Sequence, residues 1–292
     1  MDVQRLALLR ELAERGSVTA VAAATHRTVS AVSQQLKALE REVGLPLSEP
    51  SGRGLVLTDA GRALAGTAVD VAIALERAQA DWEQYRRQPS GTVTLTTFPS
   101  GGEMLLPGLL KAMAAVPDVT LVCSDQDPKV PDFADLTPDF DVVLADAPTV
   151  QPSWRARRLT VVSLLTEPLD IALPAAHPLA ARQELWPLDV VGEDWIGVPP
   201  NFPFSFPLRQ IETATGAEAT VTQRFEDNGI VEALVAAGLG IAILPRYTTR
   251  TRENLVTRPL RGVAAQRKVF AIVLPDRAER HSVQLVLRAL QA

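Results

Sequence analysis

Between Asp59 and Arg87 the chain carries no proline, and Leu64, Ala68, Val71, Leu75, Ala78, Trp82 and Tyr85 recur at alternating steps of four and three. That spacing holds one helical face over three heptads, so the stretch is expected to form a single long coiled-coil helix. At 1.5 Å per residue it spans on the order of 40 Å. Arg62, Asp70, Arg77, Asp81 and Arg87 make the opposite side polar. A single apolar seam favours dimerisation through Leu64, Ala68, Val71, Leu75, Ala78 and Trp82; the alternative is a helix packed on its own domain.

The two flanks read differently. Ahead of the long helix, Val3, Leu6, Leu9 and Ala13 share one helical face, and Val32, Leu36, Leu39 and Val43 share another. Gly16-Ser17 marks a stop, and Thr19–Ala24 fits a short second helix. After Gly44, LPLSEPSGRGLVLT reads as a hairpin. Three helices and a hairpin make a winged helix-turn-helix pattern. Behind the long helix, Gln88-Pro89-Ser90-Gly91 is a hinge. Strands at Thr92–Thr97, Val119–Cys123, Phe140–Ala145, Asp170–Leu173, Trp195–Val198, Ile241–Leu244 and Val269–Leu274 then alternate with helices at about Glu103–Ala115 and Ile230–Ala237. This predicts an α/β region with mostly parallel sheets, large enough for two lobes.

The totals exclude several classes. A net charge of −5 is not that of a basic nucleic-acid sponge, and a lone Cys123 forms no intrachain disulfide, as suits a reducing compartment. The opening MDVQRLALLRELAERG lacks the apolar core of a signal peptide, and no apolar run reaches the roughly 18–20 residues of a membrane span. The expectation is a cytoplasmic protein with no membrane contact.

Within the N-terminal flank, THRTVSAVSQQL (25–36) gathers small polar residues at the start of a helix. The second helix of a helix-turn-helix lies in the major groove, where its first turn needs short side chains bearing hydroxyls and amides. Thr28 fits an N-cap. Ser30, Ser33 and Gln34 fall outward, Val32 and Leu36 inward, and Lys37 and Arg53 are within reach of phosphates. From Arg15 to Arg62 there are six Lys/Arg against four Asp/Glu, in a chain that is acidic overall. The alternative is an ordinary capped surface helix.

GSVTAVAAATHRTVSAVSQQLKALEREVGLPL followed by GRGLVLTDAGRAL resembles the N-terminal domain of LysR-type transcriptional regulators, and TEPLDIALPAAHPLA and LVAAGLGIAILPR resemble landmarks of that family's effector-binding domain. The resemblance implies an α + α/β architecture. It comprises a winged helix-turn-helix (1–58), a long linker and dimerisation helix (59–90), and a two-lobed, periplasmic-binding-protein-like domain (91–292). Lobe I would take about 91–165 and 267–292, and lobe II about 166–266. It further implies a homodimer or homotetramer that binds double-stranded promoter DNA and responds to a small-molecule effector, with no other cofactor and no metal. Thr28, Ser30, Ala31, Val32 and Ser33 match the family's recognition turn, with Val29 where proline or glutamine is usual. Valine cannot hydrogen-bond a base but can touch a thymine methyl. Leu47-Ser48-Glu49-Pro50 stands where the family has Leu-Phe-x-Arg, so an aromatic under the wing and a phosphate-reaching arginine are replaced.

For the sensor, Ser100 is expected to cap a helix at the carboxyl end of a strand, with Gly101 and Gly102 admitting a ligand to the backbone N–H groups, an anion-type site; the alternative is a capped helix binding nothing. The family's effector contacts fall on this turn and, by position, on Gln126. Asn228-Gly229 opposes it. The loop VPPNFPFSFPL (198–208), with Asn201 and Phe202, forms either a pocket wall or a plug for its own lobe, and Arg209, Arg224 and Arg246 are candidate carboxylate partners. No catalytic constellation emerges. His26, His177 and His281 are dispersed, no G-x-S-x-G, P-loop or G-x-G-x-x-G occurs, Asp141 and Asp146 read as solvated strand ends, and Cys123 as a core residue. The rival readings are a solute-binding protein using the two lobes alone, and a ligand-sensing regulator with weakened or lost DNA binding.

Overall fold

The computed structural model describes residues 1–51, 54–86, 89–200, 202, 204–250 and 252–292. Its first helices are α1 (Val3–Arg15), α2 (Val18–Ala24) and α3 (Val29–Val43). Each starts on an oxygen that accepts orphan backbone N–H groups: Asp2, Ser17 and Thr28 respectively. Gly44, at φ 75°, ends α3 in the left-handed conformation that only glycine adopts without cost. Leu6, Leu9, Leu12, Val21, Val32 and Leu39 form the core. Val3 and Ala13, expected on the buried face of α1, are exposed. The reason is that α1 packs on both α3 and the long helix, which rotates Leu8 and Leu12 inward.

The wing is β1 (Ser48–Ser51) paired antiparallel with β2 (Gly54–Leu57). Glu40 Oε1 pins it, accepting from the Leu47 and Ser48 backbone N–H groups at 2.9 and 3.1 Å and from the Ser48 hydroxyl at 3.2 Å. Serine in place of an aromatic thus ties the wing to α3 by a hydrogen bond. Thr58 donates to Pro46 O and accepts from Gly61 N–H, and a Cβ on Gly61 would sit 2.0 Å from Leu47 O. The Thr58-x-x-Gly61 pattern therefore locks the wing onto the next helix.

That helix, α4, runs from Asp59 to Arg86. Its seam divides. Ala68 is buried in the N-terminal core with Leu64 and Val71 packed against it, so these three are committed to their own chain because α1 covers them. Leu75 and Trp82 are about half exposed, and Ala78 is exposed.

The remainder builds on β3 (Gly91–Thr97), α5 (Pro99–Met113), β4 (Val119–Asp125), β5 (Val142–Ala147), α6 (Pro152–Ala156) and β6 (Thr160–Pro174). It continues with α7 (Pro187–Val190), β7 (Asp194–Gly197), α8 (Ser205–Thr215), β8 (Thr220–Arg224), α9 (Asn228–Ala236), β9 (Ala242–Pro245), β10 (Leu255–Pro259), β11 (Gln266–Val273) and α10 (His281–Gln291). The strand order of the main sheet is β10-β6-β11-β5-β3-β4, with β9 also on β6. Only β3/β4 and β3/β5 are parallel in it; β11 and β6 pair antiparallel with all their neighbours. The expected mostly parallel sheet is therefore mixed, because β6 and β11 are long strands that cross between two lobes without helical crossovers. Val93, Leu95, Val142–Ala145, Trp154 and α10 fill one core, while Trp195, Ile211, Ile171 and Ile243 fill the other.

Candidate functional site

The first surface is the start of α3. Thr28 Oγ1 accepts from Ala31 N–H at 3.1 Å and lies 3.1 Å from Ser30 Oγ. Val29, Ser30, Gln34 and Lys37 are exposed, and Ser33 is half-buried. Gln35, one residue on, is taken by Arg5 Nε at 3.0 Å. Two turns of α3 thus present short uncharged groups ending in a lysine, held rigid by a three-helix core. Arg53 lies outside the described residues.

The second is a cavity of about 300 Å³ between the lobes. Lobe I contributes the carboxyl ends of β3, β4 and β5 (Phe98 and Ser100, Asp127, Asp146), and lobe II the segments after β7 and β8 (Phe202 and Phe204, Glu226 and Asp227). Strand ends facing a crevice are where open α/β sheets bind ligands. Where β6 and β11 cross, Arg267 stands opposite Glu167 in register. Its Nε donates to Glu167 Oε2 at 2.7 Å, and its Nη1 donates to Ser100 Oγ at 3.0 Å and Asp146 Oδ2 at 3.2 Å. The guanidinium also lies over Phe98 and Phe204, 5.0 and 5.1 Å from the ring centres, so one cation joins rings from both lobes. Glu167, Asp146 and Arg267 are all at most 3% exposed. Burial holds the Asp146 carboxyl above its ordinary range, with the Glu167 charge adding to the shift and Arg267 opposing it. At the mouth, Arg250 Nη2 meets Glu103 Oε1 at 3.2 Å. Asp127 keeps a face open to solvent, yet enclosure by the cleft, then the charges of Asp146 and Glu226, push its carboxyl up to about 7.

Several expectations are corrected here. Ser100 is not the N-cap: Phe98 is, and Ser100 accepts from Arg267 instead. Gly101 and Gly102 are buried and do not line the cavity. A Cβ on Gly101 would meet the Phe98 ring at 2.5 Å, so this glycine makes room for the chain's own phenylalanine. Gln126 is exposed beyond β4 and off the cavity, while Asn228, Gly229 and Phe202 line it. Asn201 lies outside the described residues. Phe202 and Phe204 are both wall and plug, buried in lobe II and lining the cavity. None of the candidate arginines reaches it: Arg246 grips Asp170 through two bonds, and Arg224 donates to Val198 O. Asp141 and Asp146 are buried rather than solvated, because Thr94, Arg280 and Arg267 compensate them. Asp127, Glu167 and Arg267 were missed and Asp146 reads from sequence as a solvated end; for Asp146, Glu167 and Arg267 the signal is an ionisable residue within a strand, and Asp127, beyond the end of β4, gives none. Cys123 is half-buried, and burial raises its thiol.

α1 and α4 rest on lobe I through ion pairs: Arg10 with Asp276 at 2.6 Å, Arg15 with Asp139 at 2.7 Å, and Glu76 with Arg280 at 3.3 Å. Among the described residues no group of three or more His, Cys, Asp or Glu is arranged to hold a metal, and no helix is long and apolar enough to cross a membrane.

A winged helix-turn-helix joined by a long helix to a two-lobed sensor defines a ligand-responsive transcriptional regulator. Residues 86–292 match the LysR substrate binding domain, and residues 3–62 match the bacterial regulatory helix-turn-helix protein of the lysR family. The chain belongs to the LysR family of DNA-binding transcriptional regulators, whose C-terminal domain binds effectors. The transcriptional dual regulator GltC of Bacillus subtilis is 28% identical over 254 residues, covering 85% of this chain and 82% of GltC. HcaR, the Hca operon transcriptional activator of Escherichia coli, is 26% identical over 273 residues, covering 90% and 88%. A full-length OxyR variant from Pseudomonas aeruginosa shares the fold with a TM-score of 0.67 at 19% identity, over 100% of this chain and 98% of that one. CbnR in complex with its target DNA does so at 0.54 and 21%, over 99% and 100%.

Proposed function

We propose that Thr28, Val29, Ser30, Ser33 and Gln34 face base edges in the major groove while Lys37 and Arg53 meet phosphates. Two copies pair through Leu75, Ala78 and Trp82, as a homodimer or within a homotetramer. The domain limits that serve this reading are 1–58, 59–90 and 91–292. The observation that carries it is the exposed, uncharged, Thr28-capped start of α3 in a chain whose other end holds a ligand-sized cavity. A small molecule enters between Ser100, Phe202, Asn228 and Gly229 and changes how the lobes sit. The Arg10–Asp276, Arg15–Asp139 and Arg280–Glu76 pairs pass that change to α1 and α4. The role is regulatory rather than catalytic, in the cytoplasm, with the effector as the only small partner. By linkage, operator DNA then alters effector affinity by the factor with which effector alters DNA affinity.

The test is a gel shift on the intergenic DNA flanking the gene, across a salt series. Specific retardation whose affinity falls linearly on a log–log salt plot is expected, with a slope of about −0.9 per phosphate contact. Retardation no stronger than on unrelated DNA of equal length at every salt concentration would overturn the reading. A monomer by sedimentation would remove the pairing.

A further inference from the structure

Resting on the reading of the interlobe cavity as the effector site, we propose that it takes a small organic cation, an ammonium or guanidinium on a short apolar body. The lining carries six carboxylates, Glu103, Asp127, Asp146, Glu226, Asp227 and Glu232, against two guanidiniums, Arg250 and Arg267. Several of the acids are already engaged. Glu232 receives Arg252 and the Arg250 N–H, Glu103 pairs with Arg250, and Asp227 accepts from Ile230 N–H at the start of α9. The buried centre is not balanced. Asp146 and Glu167 share the single Arg267, and Asp146 Oδ1 has no hydrogen-bond donor among the described residues, although its side chain is 2% exposed and the residue lines the cavity.

A buried carboxylate oxygen without a donor calls for one, and an uncompensated charge calls for a counter-charge. A water molecule would satisfy the first need and leave the second. An ammonium or guanidinium satisfies both, and Asp127 and Glu226 stand nearby to take its further N–H groups. The partial positive end of α5, about half a charge, is small beside these acids, and that of α9 is already met by Asp227.

Among the described residues lining the cavity each cation already has an acid partner, so an anionic effector must displace a carboxylate to meet one. Arg267 gives Nε to Glu167 and Nη1 to Ser100 and Asp146, with Phe98 and Phe204 over its faces; its Nη2 makes no hydrogen bond among the described residues but lies 2.5 Å from Glu167 Oε2, so that corner too faces an acid. Arg250 is held by Glu103. The described acids are not grouped for a metal, and the rings of Phe98, Phe202 and Phe204 supply the apolar surface that an organic body needs.

Calorimetric titration of the full-length protein with agmatine and with phenethylamine, set against glutarate, phenylpropanoate and magnesium chloride, tests this. At least one amine is expected to bind with a Kd below about 1 mM, more tightly than its carboxylate counterpart. Asp146→Asn should weaken it about tenfold or more. Asp127→Asn, at the open mouth, should weaken it severalfold and guards against loss of folding in the first variant. Failure of both amines, preference for a carboxylate or for magnesium, or an undiminished affinity in both variants would overturn the proposal. A gel shift on the same preparation separates the two readings. Specific DNA retardation without amine binding overturns the cation alone, and amine binding without DNA retardation overturns the regulator alone.

Discussion

At the start of α3, Thr28, Val29, Ser30 and Gln34 stand in solvent with no ionised group until Lys37, whereas the interlobe cavity concentrates acids around a guanidinium withdrawn from water. The two regions solve opposite problems. A surface that meets a polyanion gains its attraction from phosphate neutralisation nearby, so its base-reading positions can be neutral and short, each hydrogen bond costing little to desolvate. A cavity that must pick one small molecule from many gains discrimination by leaving a buried group unmatched until the right partner arrives. On the proposed reading, selectivity on α3 is distributed over several weak contacts. On the same reading, in the cleft it is concentrated in one.

That contrast can be broken most forcefully at Arg267. Arg267→Ala leaves Glu167 and Asp146 buried without a counter-charge, and should cost about 3–5 kcal/mol in thermal or urea unfolding. A loss under about 1 kcal/mol would mean that the carboxylates are already protonated or hydrated and that the cleft stores no charge imbalance.

The pH dependence of Asp127 comes next. Its carboxyl ionises near 3.8 in the unfolded chain and near 7 in the folded one, so between those values the native state holds the extra proton. Stability from this group then declines as pH rises through that window and levels off above it. Melting curves of the wild type and Asp127→Asn should diverge in this sense. Coinciding pH profiles would remove the cleft's electrostatic strain at this position.

On the DNA side the effects are smaller and of another kind. Gln34→Ala should cost about 1–3 kcal/mol on the preferred operator and little on others, measured by competition gel shift. Smallest is Lys37→Ala, expected to weaken all sequences alike and to reduce the salt slope by about 0.9. Sequence-dependent loss at Lys37, or uniform loss at Gln34, would exchange their roles.

What could be read from residues alone follows the same division. The N-terminal domain is legible because its signals are local. Caps precede helices by one residue, Gly44 ends α3, and Thr58 and Gly61 meet Pro46 and Leu47 across a single hairpin, twelve and fourteen residues back. The long helix was legible as a helix, but not which half of its seam α1 covers. The cleft was legible only in part. Phe202, Asn228 and Ser100 stand on turns that flag themselves, yet Ser100 does a different job from the one expected, because its partner Arg267 lies 167 residues away. Asp146 and Glu167 meet the same arginine across 121 and 100 residues. No periodicity encodes such pairs; they arise because β11 pairs with β6 on one side and β5 on the other, beside the start of α5. In α10, Val283, Val286, Leu287 and Leu290 recur at helical spacing, a local signal of the same kind as those of the N-terminal helices.

The most direct measurement is a footprint of the full-length protein on the DNA flanking its gene, alongside Gln34→Ala. The account predicts two protected half-sites about one helical turn apart for the wild type, and for the variant a loss of that specific protection with nonspecific retardation retained. Equal protection of the same bases by both proteins would contradict the claim that the neutral start of α3 reads the sequence.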